Sequence, residues 1–279
     1  MLLGLLRLVR LSNSLPARVL VLLGAKLTGA PLYQPTLWVA IAAMWCITAF
    51  GYVSNDLWDQ AEDRVNKPDR PLPAGMVTSR QAFIVALGLL LLALCLSANL
   101  GIAPFLITLL VLILLMLYNW RLKGMAGLGN LLIAGLAASA LWSGAVAAHG
   151  WRYAPMITLL PAALALTLFI LARELVKIIE DQVGDRLAGK QTLAQYIGVQ
   201  TIVRIVACLT ILLFLTVGWL FPWWGYSRNA RVIMVAGVNL PLVWTVYYLS
   251  TDAAVSRVRR CLALLKGSYF FGLIALWLA

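Results

Sequence analysis

Apolar residues fill this chain in long windows separated by short polar segments. Windows of roughly 17–25 residues, each long enough to cross the hydrocarbon core of a bilayer as a helix, fall near 15–33, 36–55, 81–100, 102–120, 127–148, 154–173, 201–221, 230–250 and 261–279. Nine transmembrane helices are therefore predicted, with Arg18 and Lys26 interrupting the first. Ahead of it, residues 1–12 set pairs of leucines around Arg7 and Arg10, the pattern of an interfacial helix leading into the membrane. Arg18 breaks the apolar run a signal peptide would need, and hydrophobicity resumes after it. The pattern predicts an all-α polytopic membrane protein.

Composition agrees: 63% of residues are hydrophobic and 11% charged, at a mean hydropathy of +0.92, where soluble domains carry about 25% charged residues. A net charge of +12 raises the question of nucleic acid, and the distribution of charge answers it. With the N-terminus inside, 18 of the 22 Lys and Arg residues fall in the arm and loops of one side and only Lys26, Arg152, Arg228 and Arg231 on the other. That asymmetry is the positive-inside rule, so the basic side, with the N-terminus, is predicted to be cytoplasmic. Membrane lipids, not nucleic acid, are the expected surroundings, and no obligate protein partner is indicated. The four cysteines have no paired spacing and read as apolar filler; the single histidine, His149, lies in a short outer loop.

Acidic residues change the picture. The chain has ten, and Asp56, Asp59, Glu62, Asp63 and Asp69 fall in one segment after the second window, while Glu174, Glu180, Asp181 and Asp185 form a second cluster after the sixth. Asp56, Asp59 and Asp63 are spaced i, i+3, i+7 and are predicted to share one helix face, with Asn55 and Asp59 on an adjacent stripe. The three prolines of Asn66-Lys67-Pro68-Asp69-Arg70-Pro71-Leu72-Pro73 must stop the helix and lay a basic loop over the acids. In the second cluster, Glu174, Lys177, Asp181 and Asp185 again follow one face, with Arg173 beside it. Asp59 and Asp63 map onto Asp181 and Asp185 at a constant offset of 122 residues. The offset predicts two related four-helix halves plus a ninth helix around a central cavity, one domain over 1–279.

Brought together at one end of such a bundle, these carboxylates would repel one another. Hard oxygen ligands short of countercharge suit Mg²⁺, which binds through a few carboxylates and substrate phosphates. Lys67, Arg70, Lys123, Arg173 and Lys177 are placed to hold phosphate oxygens. Metal, diphosphate and an apolar cavity together describe a polyprenyl diphosphate.

Asn55-Asp56-x-x-Asp59-x-x-x-Asp63 with the Asn66-Lys67-Pro68-Asp69-Arg70-Pro71-Leu72-Pro73-Ala74-Gly75 loop resembles the first signature of the UbiA superfamily of intramembrane prenyltransferases. Asp181-x-x-Gly184-Asp185 resembles its second, and the Tyr118/Lys123 segment and Gly129-Asn130 extend the resemblance over nearly the whole chain. The resemblance implies Mg²⁺-dependent transfer of a prenyl group to a lipid-soluble acceptor. Asn55, Asp59, Asp63, Asp181 and Asp185 would carry the metal, directly or through water, and Arg70, Lys123 and Lys177 would hold the diphosphate. Tyr52, Trp58, Tyr118 and Trp120 lie at a depth where an aromatic face meets an allylic cation.

Within the superfamily the second cluster is most similar to digeranylgeranylglyceryl phosphate synthase-type members, with Ile178 where those usually have an acid. Chlorophyll synthases share the Pro-Asp-Arg-Pro loop. Arg173 and Lys177 form a cationic surplus that favours an anionic glycerophosphate prenyl ether as acceptor, unless Glu174 pairs with Lys177. An aromatic, quinone or tetrapyrrole acceptor, and a terpene cyclase using the same metal site without acceptor, stay open.

Overall fold

The structure, a computed structural model, describes residues 2–11, 13–125, 127–151, 155–187 and 196–279; for 2, 65, 66, 124 and 181–187 it describes the backbone alone. The described residues are helical throughout, with turns between. A short α1 (Leu2–Val9) and α2 (Leu15–Leu27) precede α3 (Pro35–Trp58) and α4 (Gln60–Asn66). Then come α5 (Ser79–Ala98), α6 (Ile102–Trp120), α7 (Leu128–His149) and α8 (Leu160–Leu187). The last three are α9 (Val199–Trp223), α10 (Arg228–Thr251) and α11 (Val255–Trp277).

Local chemistry sets the ends. Pro35 starts α3 at the position where its missing N–H costs nothing. Thr78 and Gln81 form a reciprocal capping box at the start of α5. Pro68, Pro71 and Pro73 hold the chain out of helix after α4, as predicted.

Eight helices among the described residues are long and apolar enough to cross a membrane. The first predicted window is not one of them. Gly29, in the left-handed region at φ 76°, ends the helix just after Thr28, so α2 has 13 residues and rises about 20 Å, short of a bilayer core. The last helix starts at Val255, not 261, and takes Arg257, Arg259 and Arg260 into its first turns. The sixth window runs on as α8 to Leu187 and carries the second acidic cluster.

Two compact units make up the chain: Met1–Lys123 with Ala140–Ala154, and Gly124–Ser139 with Pro155–Ala279. The boundary falls inside α7, not between the four-helix halves that the repeat offset suggested. In the first unit α3 is the central element, packed on α2, α5 and α6. Its inward residues include Ala40, Ala43, Ile47, Phe50 and Val53, all buried. On α5, Phe83, Leu87 and Leu91 are exposed, and on α6, Leu106, Leu110 and Ile113, which are the faces lipid would cover. In the second unit α8 packs on α9 and α11, and Arg259 of α11 donates to Glu180 of α8 at 3.1 Å. Both α9 and α10 contain a π turn, at Thr216–Leu220 and Val235–Asn239. The buried Asn239 amide, suitably oriented, donates to the Met234 carbonyl and accepts from the Phe214 N–H, satisfying backbone groups there.

The closest crossing in the first unit joins α2 to the end of α7. A Cβ on Gly24 would lie 1.8 Å from the Leu141 carbonyl oxygen, and one on Gly144 would lie 1.9 Å from that of Val21. The two glycines let the backbones touch reciprocally, a device suited to lipid, where packing and not water drives helix association. Gly24→Val or Gly144→Val is expected to lower thermal stability in detergent by about 3 kcal/mol or more. Gly88→Ala, whose Cβ would meet open space, should leave the unfolding temperature unchanged or raise it.

Candidate active site

The site begins where α3 ends. Asp59 caps α3 at φ −89°, ψ 10° and passes the chain into α4, with Asp59 N bonded to Asn55 O at 2.9 Å and Asp63 N to Asp59 O at 2.8 Å. Across this bend the acids divide between two sets of partners. They do not act as the single face that their spacing predicted.

On one side, Asn55 Nδ2 donates to Asp59 Oδ2 at 2.8 Å, and Lys123 Nζ donates to Asp59 Oδ2 and, at 3.3 Å, to Asn55 Oδ1. Lys123 comes from the turn after α6. That helix is pinned to α3 one turn earlier by Asn119 Nδ2, which donates to Ser54 Oγ at 2.9 Å, both groups being buried.

On the other side, Asp56 Oδ1 accepts from Arg10 Nη2 at 2.5 Å and from Arg70 Nη1 at 3.1 Å, while Arg70 Nη1 also donates to Asp63 Oδ2 at 2.5 Å. Asp56 is only 2% exposed and Asp63 4%, so these are ion pairs at a nearly dry helix end. Charge-assisted hydrogen bonds of this kind run about 1.5–3 kcal/mol. The Pro-rich loop thus lies over the acids as its sequence implied, with Arg70 as the contact. Arg10 was not singled out as a site residue: 46 positions separate it from Asp56, and no local periodicity links them.

The remaining predicted residues take varied places. Lys67 is exposed in the loop, next to Arg70's ion pairs in sequence. Arg173 Nη1 donates to Glu174 Oε1 at 2.9 Å, so the surplus cation expected at that position has an acid of its own, and Lys177 is exposed. Asp181 and Asp185 lie on the helical backbone of α8, and their side chains lie outside the described residues. Trp58 and Trp120 are exposed, while Tyr52 takes Arg10 over its ring at 5.1 Å. His149 Nε2 lies 3.1 Å from Thr28 Oγ1, away from this end, and all four cysteines are free.

No three His, Cys, Asp or Glu groups form a ready-made metal cage among the described residues. The donor set still fits a hard cation. Asn55 Oδ1 and the Asp59 carboxylate already hold one positive charge between them, the Lys123 ammonium, with oxygen ligands of the kind Mg²⁺ prefers. Asp63 is engaged by Arg70 through one carboxylate oxygen, Oδ2, which leaves the other to join.

Three comparisons bear on this geometry. The model of the UbiA prenyltransferase family matches residues 15–274. A digeranylgeranylglyceryl phosphate synthase from Halobacterium salinarum is 37% identical over 209 residues, covering 75% of this chain and 74% of its own. Among solved structures, one described as digeranylgeranylglyceryl phosphate synthase in membranes superposes with a TM-score of 0.79 at 24% identity, covering 99% of this chain and 96% of that one. A UbiA homologue from Archaeoglobus fulgidus bound to GPP and Mg²⁺ superposes with a TM-score of 0.66 at 17% identity, covering 98% and 99%. At these identities the two structures speak for the fold.

Removing Arg70 tests the ion-pair reading without any substrate. Arg70→Gln leaves Asp63, and one contact of Asp56, unmatched in a nearly dry setting, and is expected to cost roughly 2–4 kcal/mol in thermal unfolding. Adding Asp63→Asn should recover part of that loss, because the carboxylate that needed the cation is gone. Equal unfolding temperatures for wild type and Arg70→Gln would show that the pairs carry no weight.

Proposed function

The chain belongs to the UbiA prenyltransferase family, an integral membrane prenyltransferase, and on that premise we propose that it transfers a polyprenyl group from its diphosphate to a prenyl-ether glycerophosphate. The observation that carries the reading is the cation held between Asn55 and Asp59 beside the Pro-Asp-Arg-Pro loop. These oxygens hold positive charge at the end of an apolar bundle, where a diphosphate on a lipid tail would present its oxygens.

Asn55, Asp59 and Asp63 of the first cluster, and Asp181 and Asp185 of the second, are the proposed metal-holding groups, each cluster with its own carboxylates. Mg²⁺ bound to them would neutralise charge gathering on the departing diphosphate as the allylic C–O bond ionises. Lys123 is the residue poised to move. Released from Asp59, its ammonium is free to hold a diphosphate oxygen; Lys177 is the proposed phosphate donor of the second cluster, and Lys67 and Arg70 are the cations offered to the acceptor. Arg70 remains oriented by Asp56 even when Asp63 is engaged elsewhere.

The acceptor follows from what the relatives are named for. Digeranylgeranylglyceryl phosphate carries two geranylgeranyl groups on one glycerophosphate, so its last prenylation takes a singly prenylated glycerophosphate. The pairing of Arg173 with Glu174 withdraws the earlier charge argument at that position, and the acceptor reading rests on the relatives. We further propose that the two units serve as one prenyltransferase domain, since the family match runs through both. Within it α2 counts as a ninth, shorter helix. The N-terminus and acidic ends lie on the cytoplasmic side, by the asymmetry of Lys and Arg.

Purified protein should convert geranylgeranyl diphosphate with Mg²⁺ only when geranylgeranylglyceryl phosphate is added. Hydrocarbon formed without acceptor would make it a cyclase, and preference for an aromatic or quinone acceptor would overturn the glycerophosphate. Asp59→Ala and Asp181→Ala should each reduce turnover by at least about a thousandfold, a loss of roughly 4 kcal/mol of transition-state stabilisation. In sealed vesicles, externally added diphosphate should be used only where the cytoplasmic face points outward.

A further inference from the structure

The N-terminal segment, expected only to lie on the membrane, forms one wall of an open groove of about 460 Å³. Arg7, Arg10 and Asn13 line one side, and Lys67, Asp69 and Arg70 line the other. Four cations face one carboxylate there. Arg10 and Arg70 form the floor, fixed from behind by Asp56 and Asp63, while Arg7 and Lys67 stand exposed at the rim.

The backbone has been bent to make this wall. Arg10 is the one non-glycine residue among those described with a positive φ, 49°, a conformation that costs of order 1 kcal/mol or more. The turn is held by several contacts. Asn13 N bonds to Arg10 O at 2.9 Å, Tyr52 Oη donates to Asn13 O at 3.3 Å, and the Tyr52 ring lies under the Arg10 guanidinium. Gly4 brings α1 against Met76 and Val77, where a Cβ would come within 2.9 Å of Val77 Cγ2. Leu8 is fully buried, whereas Leu3, Leu6, Leu11 and Leu15 of the same N-terminal segment are exposed.

A strained arginine, a fixed pair of guanidiniums and exposed leucines on the same segment suit an anion with a lipid tail better than a soluble anion. The groove's Arg10 and Arg70 are held by Asp56, whereas Lys123, in the set proposed for the donor, is held by Asn55 and Asp59. We propose that this groove binds the phosphate monoester of the prenyl-ether glycerophosphate acceptor, an assignment that rests on the acceptor reading above. Arg10 and Arg70 receive the phosphate oxygens, Arg7 and Lys67 complete the charge, and the exposed leucines of the N-terminal segment offer the ether tail an apolar contact.

The test is equilibrium binding of radiolabelled geranylgeranylglyceryl phosphate to the full chain in nanodiscs of neutral phosphatidylcholine. Arg7→Gln combined with Lys67→Gln should weaken binding at least tenfold. The phosphate-free probe geranylgeranylglycerol should bind wild type and double variant alike, and geranylgeranyl diphosphate should change by less than twofold. Arg7→Lys, which keeps the charge, should retain wild-type affinity and separates charge from packing. Unchanged affinity of the double variant for the phosphorylated probe would overturn the assignment. Equal weakening for geranylgeranyl diphosphate would give the groove to the donor. Phosphatidylglycerol competing as well as the probe would make it a general anchor for anionic lipid. Tight binding through the groove without prenyl transfer would instead refute the acceptor reading and leave the groove standing.

Discussion

A carboxylate at the end of an apolar helix must find a cation, because ionised and unmatched it would cost several kcal/mol near lipid. Everything at the acidic end of the first unit follows from how that demand is met. Asp56, through its Oδ1 alone, and Asp63 are met by guanidiniums brought from outside the helix, Arg10 from the N-terminal turn and Arg70 from the Pro-rich loop. Those pairs fasten α1, α3, α4 and the loop to one another. Asp59 is satisfied by Lys123, a flexible amine on the turn after α6, and shares it with Asn55. Arginine is suited to the first role by its planar fork of donors and permanent charge, and lysine to the second by its mobility.

This division gives the two sides of the bend different chemistry. The Asp56 side is built into the fold and leaves basic side chains facing a groove. The Asp59 side holds the Lys123 ammonium, the cation proposed to exchange when substrate binds. A prenyltransferase with two lipid substrates needs both, one site that binds an anion and holds it, and one whose charges rearrange as a diphosphate departs. The buried Asn119–Ser54 hydrogen bond serves the same end, because it joins α6, which leads to Lys123, to α3, which carries Asn55 and Asp56.

Much of this was legible in the sequence. Apolar windows located eight of the helices, since hydrocarbon thickness imposes length directly on composition, and Pro68, Pro71 and Pro73 marked the end of α4. The acids stood out because so few others exist. What stayed hidden was of two kinds. The end of α2 depends on the turn at Thr28 and Gly29 in a stretch that remains apolar, so hydropathy overran it. The partition of the acids depends on a bend at Asp59 and on Arg10, which reaches Asp56 only through tertiary packing. Helical spacing reports which residues share a face; it carries no information about which cation arrives from another segment.

The central claim is that the two sides of the α3–α4 bend separate the exchangeable charge from the fixed one. An experimental structure with Mg²⁺ and a non-ionisable geranylgeranyl diphosphate analogue tests it most directly. The account predicts that Lys123 Nζ leaves Asp59 for a diphosphate oxygen, that metal takes its place on Asn55 and Asp59, and that Arg10 stays on Asp56. Metal bound at Asp56 with Arg10 displaced, or Lys123 unmoved on Asp59, would contradict it.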